Sequence, residues 1–515
     1  MHKNLQVEDK GVYSTILQML EETMKKYPNK VAFEDMKDKI TFSNLVEQAI
    51  KIGSFIGDKI APQNPIVVYM DKRANNVIAF MGVVYAGCFY VPIDSQMPLE
   101  RIKIILETLK PSMILYDDVT KDRVKEFGSC YSLIHYKKAL ETDVNKTSLL
   151  NIRSQCKNTD ILYVLFTSGS TGVPKGVTIS HAAVIDFVDW ICENYHMSKD
   201  TSLCNQAPFY FDASVPDLYI PLKVGATTYV PPKSYYTFPK KILEYLDERK
   251  INTLIWVPSA LCNVVNCRAF EVCIPSNIKL VIFCGEVMPC KHLNVWKNYI
   301  PDALYVNMYG PTEATYACMY YNIERIFKDD EVLPLGRACE NSQILLLDEN
   351  NKIAERGQVG EICILGQCLS QGYYNAQDKT NQVFVQNPTN SKWNEIIYKT
   401  GDLAYENADG DIIFAGRKDF QIKKLGHRIE LGEIESVMLS IKGVESVCCI
   451  YNELEEHIIA VYKGIIQIEE LRNQLNVRLS QYMRPDRYQK VDQMPLNMNG
   501  KIDRLKIKNI FMEEK

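Results

Sequence analysis

Long apolar runs are missing from this chain. No stretch approaches the roughly 20 consecutive apolar residues that cross a bilayer, so membrane insertion is not expected. The opening segment, MHKNLQVEDKGVYST, holds no apolar core of signal-peptide length. An excess of one charge is missing too. The 59 basic and 63 acidic side chains leave a formal net charge of -4, which builds no basic field for nucleic acid. Among the 16 cysteines there is no C-x-x-C pair, and no Cys/His cluster has zinc-like spacing. Several cysteines lie inside apolar runs, as in IKLVIFCGE (278–286) and VESVCCIY (444–451). They read as reduced packing residues of a cytoplasmic protein.

What is present is a long chain of ordinary hydrophobicity. At 515 residues it exceeds what one core usually supports, so at least two packed units are expected. Leu45, Ala49, Ile52 and Ile56 recur at helical spacing, as do Val184, Phe187, Val188 and Ile191. Short apolar runs such as PIVVYM (65–70), SMILYD (112–117), ILYVLF (161–166) and LIWVPS (254–259) read as buried strands between such helices. That alternation predicts an α/β fold with a largely parallel sheet covered on both faces. Beyond residue 340 the pattern turns antiparallel, with GEICILG (360–366), DIIFAG (411–416) and a turn at Asp409-Gly410. After GRKD (416–419) a smaller unit begins, so the expected division is a core domain over 1–418 and a small domain over 419–515.

The stretch LFTSGSTGVPKG (165–176) concentrates small and hydroxyl residues before a lysine. Glycines allow close backbone approach, hydroxyls and N–H groups can cradle phosphate oxygens, and Lys175 adds positive charge. A P-loop NTPase needs Gly-Lys-Ser/Thr in succession. Here Pro174 precedes Lys175 and Gly176 follows it, which excludes that class.

This segment resembles the phosphate-loop signature of the adenylate-forming superfamily, which includes acyl-CoA synthetases, luciferases and adenylation domains of nonribosomal peptide synthetases. Further segments match in the family's order: YAGCFYVPID (85–94), NMYGPTEAT (307–315), YKTGDLA (398–404), GRKDFQIKKLGHRIELGEIE (416–435) and NMNGKIDR (497–504). The resemblance implies a large N-terminal domain of layered, mostly parallel sheets and helices. It also implies a small, mobile α+β C-terminal domain, with ATP and Mg²⁺ as cofactors. Thr167, Ser168, Gly169, Ser170, Thr171, Gly172 and Lys175 would surround the phosphates. Tyr309 would stack on adenine with Asn307 at its edge, Thr312 would sit near the α-phosphate, and Glu313 would hold the metal. Asp402 and Arg417 would hold the ribose, and Asp419 would be the hinge. Gly426 would lie where a thiol-bearing arm enters, and Lys501 would be the catalytic lysine that bridges the attacking carboxylate and the phosphate. Lys423, Lys424 and Arg428 read equally well as a solvated charged face.

FDASVPD (211–217) aligns with the start of the acid pocket in amino-acid-activating members, where an aspartate pairs with the α-ammonium group. Asp212 has that position. The other pocket positions are Ala213, Pro216, Ile255, Ile282, Cys284, Met308, Tyr316 and Ala317, and none is charged. They imply an apolar or small uncharged amino acid. IFCGEVMP (282–289) resembles D-alanine:carrier-protein ligases, from which the chain departs at Ala213 and Met308. Fourteen residues follow Lys501, too few for a further domain. The expected acceptor is therefore a separate phosphopantetheinyl carrier protein, or coenzyme A. An acyl- or aryl-CoA ligase, which has no need of Asp212, and a non-catalytic nucleotide-binding homologue, which has no need of Lys175, Glu313, Asp402 and Lys501 together, remain as alternatives.

Overall fold

Residues 13–169, 173–453, 455–496 and 502–512 are described in the computed structural model of the chain. Apolar runs form parallel strands where both of their faces are covered. Pro65–Tyr69 and Leu280–Cys284 are buried along their whole lengths. Six strands form one sheet, in the order Leu133–His135, Met113–Tyr116, Pro65–Tyr69, Phe89–Pro92, Ile161–Thr167 and Lys175–Ser180. All neighbours run parallel except the last pair. A nine-stranded sheet has Thr253–Trp256, Leu280–Cys284 and Leu304–Tyr309 running parallel near its centre. The strands Ser342–Leu347, Gly360–Gly366, Ile396–Glu406 and Ile412–Arg417 pair antiparallel in a third sheet.

The helix Phe42–Gly57 starts at Thr41, whose hydroxyl accepts from the Asn44 N–H at 3.2 Å. Its expected face, Leu45, Ala49, Ile52 and Ile56, is fully buried. Each of the larger three contributes roughly 2 kcal/mol of burial. The helix lies close against Asn75–Tyr85 because two glycines meet there. A Cβ on Gly53 would come within 2.6 Å of Tyr85 Cβ, and one on Gly82 within 2.5 Å of Ile52 Cγ2.

A separate small α+β domain follows. Its hairpin Gln421–Lys424/His427–Glu430 leads into the helix Leu431–Leu439. The strands Val444–Asn452, His457–Gly464 and Arg487–Lys490 form a three-stranded sheet. Leu471 and Leu475 of the helix Ile468–Arg478 join Ile434, Met438 and Tyr462 in its core. All sixteen cysteines are free thiols. Among the described residues no helix is long and apolar enough to cross a membrane.

Candidate active site

The loop expected to hold phosphate connects Ile161–Thr167 to Lys175–Ser180, with Thr167 opposite Lys175 in an antiparallel register. A P-loop runs from strand to helix, whereas this loop returns as a strand, in keeping with its sequence. Gly169 lets the chain double back, since a Cβ there would lie 2.2 Å from the Val173 carbonyl oxygen. The Thr167 hydroxyl is buried with no hydrogen-bond partner among the described residues. Lys175 sits 5.0 Å over the Tyr373 ring, and burial, with Arg428 nearby, lowers its pKa. Ser170, Thr171, Gly172 and Lys501 lie outside the described residues.

Glu313 is fully buried in the short turn Thr312–Ala314. One carboxylate oxygen accepts from the Tyr373 hydroxyl at 2.7 Å, and the other from Arg428 Nη1 at 2.7 Å. Burial alone would raise its pKa, but Arg428, Lys175 and the Tyr373 hydroxyl bring it down to about 2. These partners favour Glu313 as a hard anion, and Arg428 is already paired with it. Among the described residues there is no cluster of three or more metal-ligating side chains. A lone buried carboxylate fits Mg²⁺, which retains water and phosphate oxygens as its other ligands.

Four of the expected nucleotide and hinge residues form one hydrogen-bonded chain. The Tyr309 hydroxyl donates to one Asp402 oxygen and Arg417 Nη1 to the other. Arg417 also grips Asp419 through Nε at 2.7 Å and Nη2 at 2.8 Å. The register Asp402↔Arg417 in the third sheet creates this contact. Asn307 is buried, and its side-chain amide donates to the Pro334 carbonyl at 2.7 Å.

Sheet register also gathers the residues expected to line the acid pocket. Ile255 pairs with Ile282, and Cys284 with Met308. Side chains two apart on a strand share a face, so these four lie together. They join Tyr316 and Ala317 in one apolar cluster, with Ala213 packed against it. Pro216 is buried in the helix Val215–Val224. Phe187 meets the Tyr316 ring edge-on at 5.5 Å. Thr315 and Tyr316 adopt left-handed backbone, φ 52° and 78°, a conformation costly for such residues. A hydrogen bond from the buried Thr315 hydroxyl to the Cys368 carbonyl at 2.7 Å helps to offset that strain. The Thr312 hydroxyl donates to Asp212 Oδ2 at 2.6 Å. Burial raises the Asp212 pKa, opposed by this bond.

The small domain is docked over this site. The Gly426 N–H donates to Glu286 Oε1 at 2.6 Å, while Glu286 Oε2 accepts from the Ser259 N–H at 2.9 Å. Lys423 reaches to 5.5 Å from the Tyr309 ring. The reading of Lys424 and Arg428 as a solvated face does not survive: Arg428 pairs with buried Glu313, and Lys424 is buried against Asp486. Arg428 meets its partner across the domain boundary and Lys424 meets Asp486 within the small domain, and spacing along a hairpin reveals neither contact. Sequence reasoning also missed Tyr373, Glu286, Arg101 and Glu433. Arg101 lies in an amphipathic helix with no local signal that marks it, and nothing in the hinge segment 416–435 singles out Glu433.

Residues 20–374 match the family described as AMP-binding enzyme. Zwittermicin A synthase ZmaJ of Bacillus cereus is 32% identical over 506 residues, covering 95% of this chain and 94% of that protein. A D-alanine--D-alanyl carrier protein ligase of Bacillus velezensis is 32% identical over 494 residues, covering 93% of this chain and 96% of that one. The Vibrio cholerae adenylation domain AlmE, solved in complex with glycyl-adenosine-5'-phosphate, is similar in structure with a TM-score of 0.85, over 99% of each chain at 19% identity. At that identity the likeness is one of fold. With a family match across more than half of its length and near full-length relatives above 30% identity, this chain belongs to the AMP-binding enzymes.

Proposed function

We propose that this chain activates an apolar or small uncharged amino acid with ATP, as its aminoacyl-AMP. It then passes the aminoacyl group to the phosphopantetheine thiol of a separate carrier protein. The observation that carries the proposal is the 2.6 Å hydrogen bond between Thr312 and Asp212. It places the carboxylate suited to an α-ammonium group directly beside the hydroxyl suited to an α-phosphate. Behind Asp212 the pocket wall is apolar and uncharged, which suits the side chain of such an amino acid. The relative named as a D-alanine--D-alanyl carrier protein ligase supports both substrate class and acceptor.

In the first step the amino acid's carboxylate oxygen attacks the α-phosphorus, and the bond to pyrophosphate breaks. No side-chain nucleophile is needed, so the protein's task is to orient the reactants and stabilise charge. Asp212 would hold the ammonium end, Thr312 and Lys175 the phosphate end, and Lys501 would bridge the two. Glu313 would hold Mg²⁺, which when bound supplies charge neutralisation at the phosphates. In the second step a thiol sulfur attacks the acyl carbon and AMP leaves. The docked small domain, with Gly426 against Glu286, supports assignment of this arrangement to the second step.

Pyrophosphate release should be assayed with L- and D-amino acids, fatty acids and aryl acids. Apolar or small uncharged amino acids should give turnover. Turnover only with acids lacking an amino group would replace the proposal with an acyl- or aryl-CoA ligase. No turnover with any acid would make the chain a nucleotide-binding homologue.

A further inference from the structure

The contacts between the docked small domain and the phosphate loop have a definite charge pattern. Glu433, fully buried on the helix Leu431–Leu439, spans two donors of the large domain. Its Oε1 accepts from Arg101 Nη1, and its Oε2 accepts from the Gly169 N–H of the phosphate loop at 3.2 Å. Arg101 is itself buried, in the helix Leu99–Leu109, and its Nε has no hydrogen-bond partner among the described residues. A few residues away Arg428 rests on Glu313, and its backbone carbonyl accepts from the Ser168 hydroxyl at 2.7 Å. The small domain therefore supplies an anion to the phosphate loop and a cation to the buried carboxylate.

Without the small domain in this position, the large domain would keep an unneutralised Arg101 guanidinium one carboxylate's width from the Gly169 N–H. The Arg101 helix packs against Ile468–Arg478 of the small domain, so undocking also opens that guanidinium to a soluble anion. The pair of donors, an arginine fork and a backbone N–H, suits two oxygens of a phosphate group. Resting on the adenylating reading of the site, we propose that Arg101 is a ligand of the polyphosphate in the first half-reaction. Glu433 takes that same position when the small domain docks. Polyphosphate binding and docking in this arrangement then exclude each other, because one pair of donors serves both anions.

The two partners should respond in opposite directions. With the full chain, the KM for ATP is measured by amino-acid-dependent pyrophosphate release, and the dissociation constant for magnesium pyrophosphate by calorimetry. Arg101→Gln should raise both constants by at least about tenfold, the worth of a lost charge-assisted hydrogen bond. The KM for the amino acid should stay near the wild-type value, and Arg101→Lys should recover part of the loss. Glu433→Gln removes the competitor and should tighten pyrophosphate binding. Weaker pyrophosphate binding in both variants, or unchanged ATP and pyrophosphate constants in Arg101→Gln, would overturn the proposal and leave the pair as a docking contact only. If the wild type activates no acid, the adenylating reading fails, while calorimetry still decides whether Arg101 binds pyrophosphate.

Discussion

The claim that Asp212 recognises an ammonium group can be separated from its other contacts by changing the enzyme and the substrate together. Asp212 is half-buried in a short turn, and Thr312 donates to one of its oxygens. A carboxylate has about four acceptor sites, so one such bond leaves room for a cation. A hydrogen bond to a charged partner is worth about 1.5–3 kcal/mol. Complete burial of the pair would push the cost of losing one partner toward about 3–5 kcal/mol, but the partial exposure of Asp212 favours the lower range. Asp212→Ala should therefore lower kcat/KM for the preferred amino acid by about 10- to 150-fold. The assay is pyrophosphate release with that amino acid and with its deamino analogue, on wild type and variant. The analogue has no ammonium to lose, so its kcat/KM should change by less than about threefold, leaving most of the effect as coupling. An equal loss with both substrates would refute the pairing and assign Asp212 to the support of Thr312.

Two further predictions concern pH. His427 of the docked hairpin stacks on Tyr482 at 3.7 Å and meets Phe211 edge-on, and burial, aided by Lys233, lowers its pKa to about 3. Released from the dock it should titrate near its ordinary value of about 6.5. Docking is then complete above that pH and is lost as pH falls toward 3, so single-turnover thiol transfer should weaken on acidification. His427→Gln should remove that loss, and an unchanged acid limb would count against it. Asp217 is fully buried, and one of its oxygens accepts from Asn205 at 2.9 Å while the other has no partner among the described residues. Burial raises its pKa to about 7, against the opposing Asn205 bond and Lys72. The folded state thus keeps a proton that the unfolded chain gives up near pH 4. Its stabilising effect is complete below that pH and is lost as pH rises through about 7, by at most about 1.4 kcal/mol per unit. Urea unfolding at pH 5 and pH 8 should show this slope in the wild type and a flatter one in Asp217→Asn.

Much of the fold was legible because its signals are local. The face of Phe42–Gly57 follows from residue spacing, and Pro65–Tyr69 from a short apolar run. A smaller unit was visible as a change of pattern after GRKD (416–419), and its α+β character followed from the resemblance. The residues expected in the acid pocket were named by resemblance, and only register shows which of them adjoin: Ile255 meets Ile282, and Cys284 meets Met308. Arg101 and Glu433 carry no local mark, since they are 332 residues apart in sequence and meet only when the domains dock. Lys424 and Arg428 look like ordinary surface charges in a hairpin. Long-range contacts change what they are: Lys424 pairs with Asp486 within the small domain, and Arg428 with Glu313 of the large one.

The sequence by itself determined the kind of chemistry at hand. The order of small, hydroxyl and charged residues around Lys175, Glu313 and Asp402 depends on side-chain identity along the chain, which is enough to indicate a phosphate-handling site. Only the tertiary structure decided which charges neutralise which. Glu313 is held ionised by Arg428, Lys175 and Tyr373, and Glu433 shares its carboxylate between Arg101 and the phosphate loop. Those pairings depend on distance and burial between separate domains, and neither quantity can be read along a single chain.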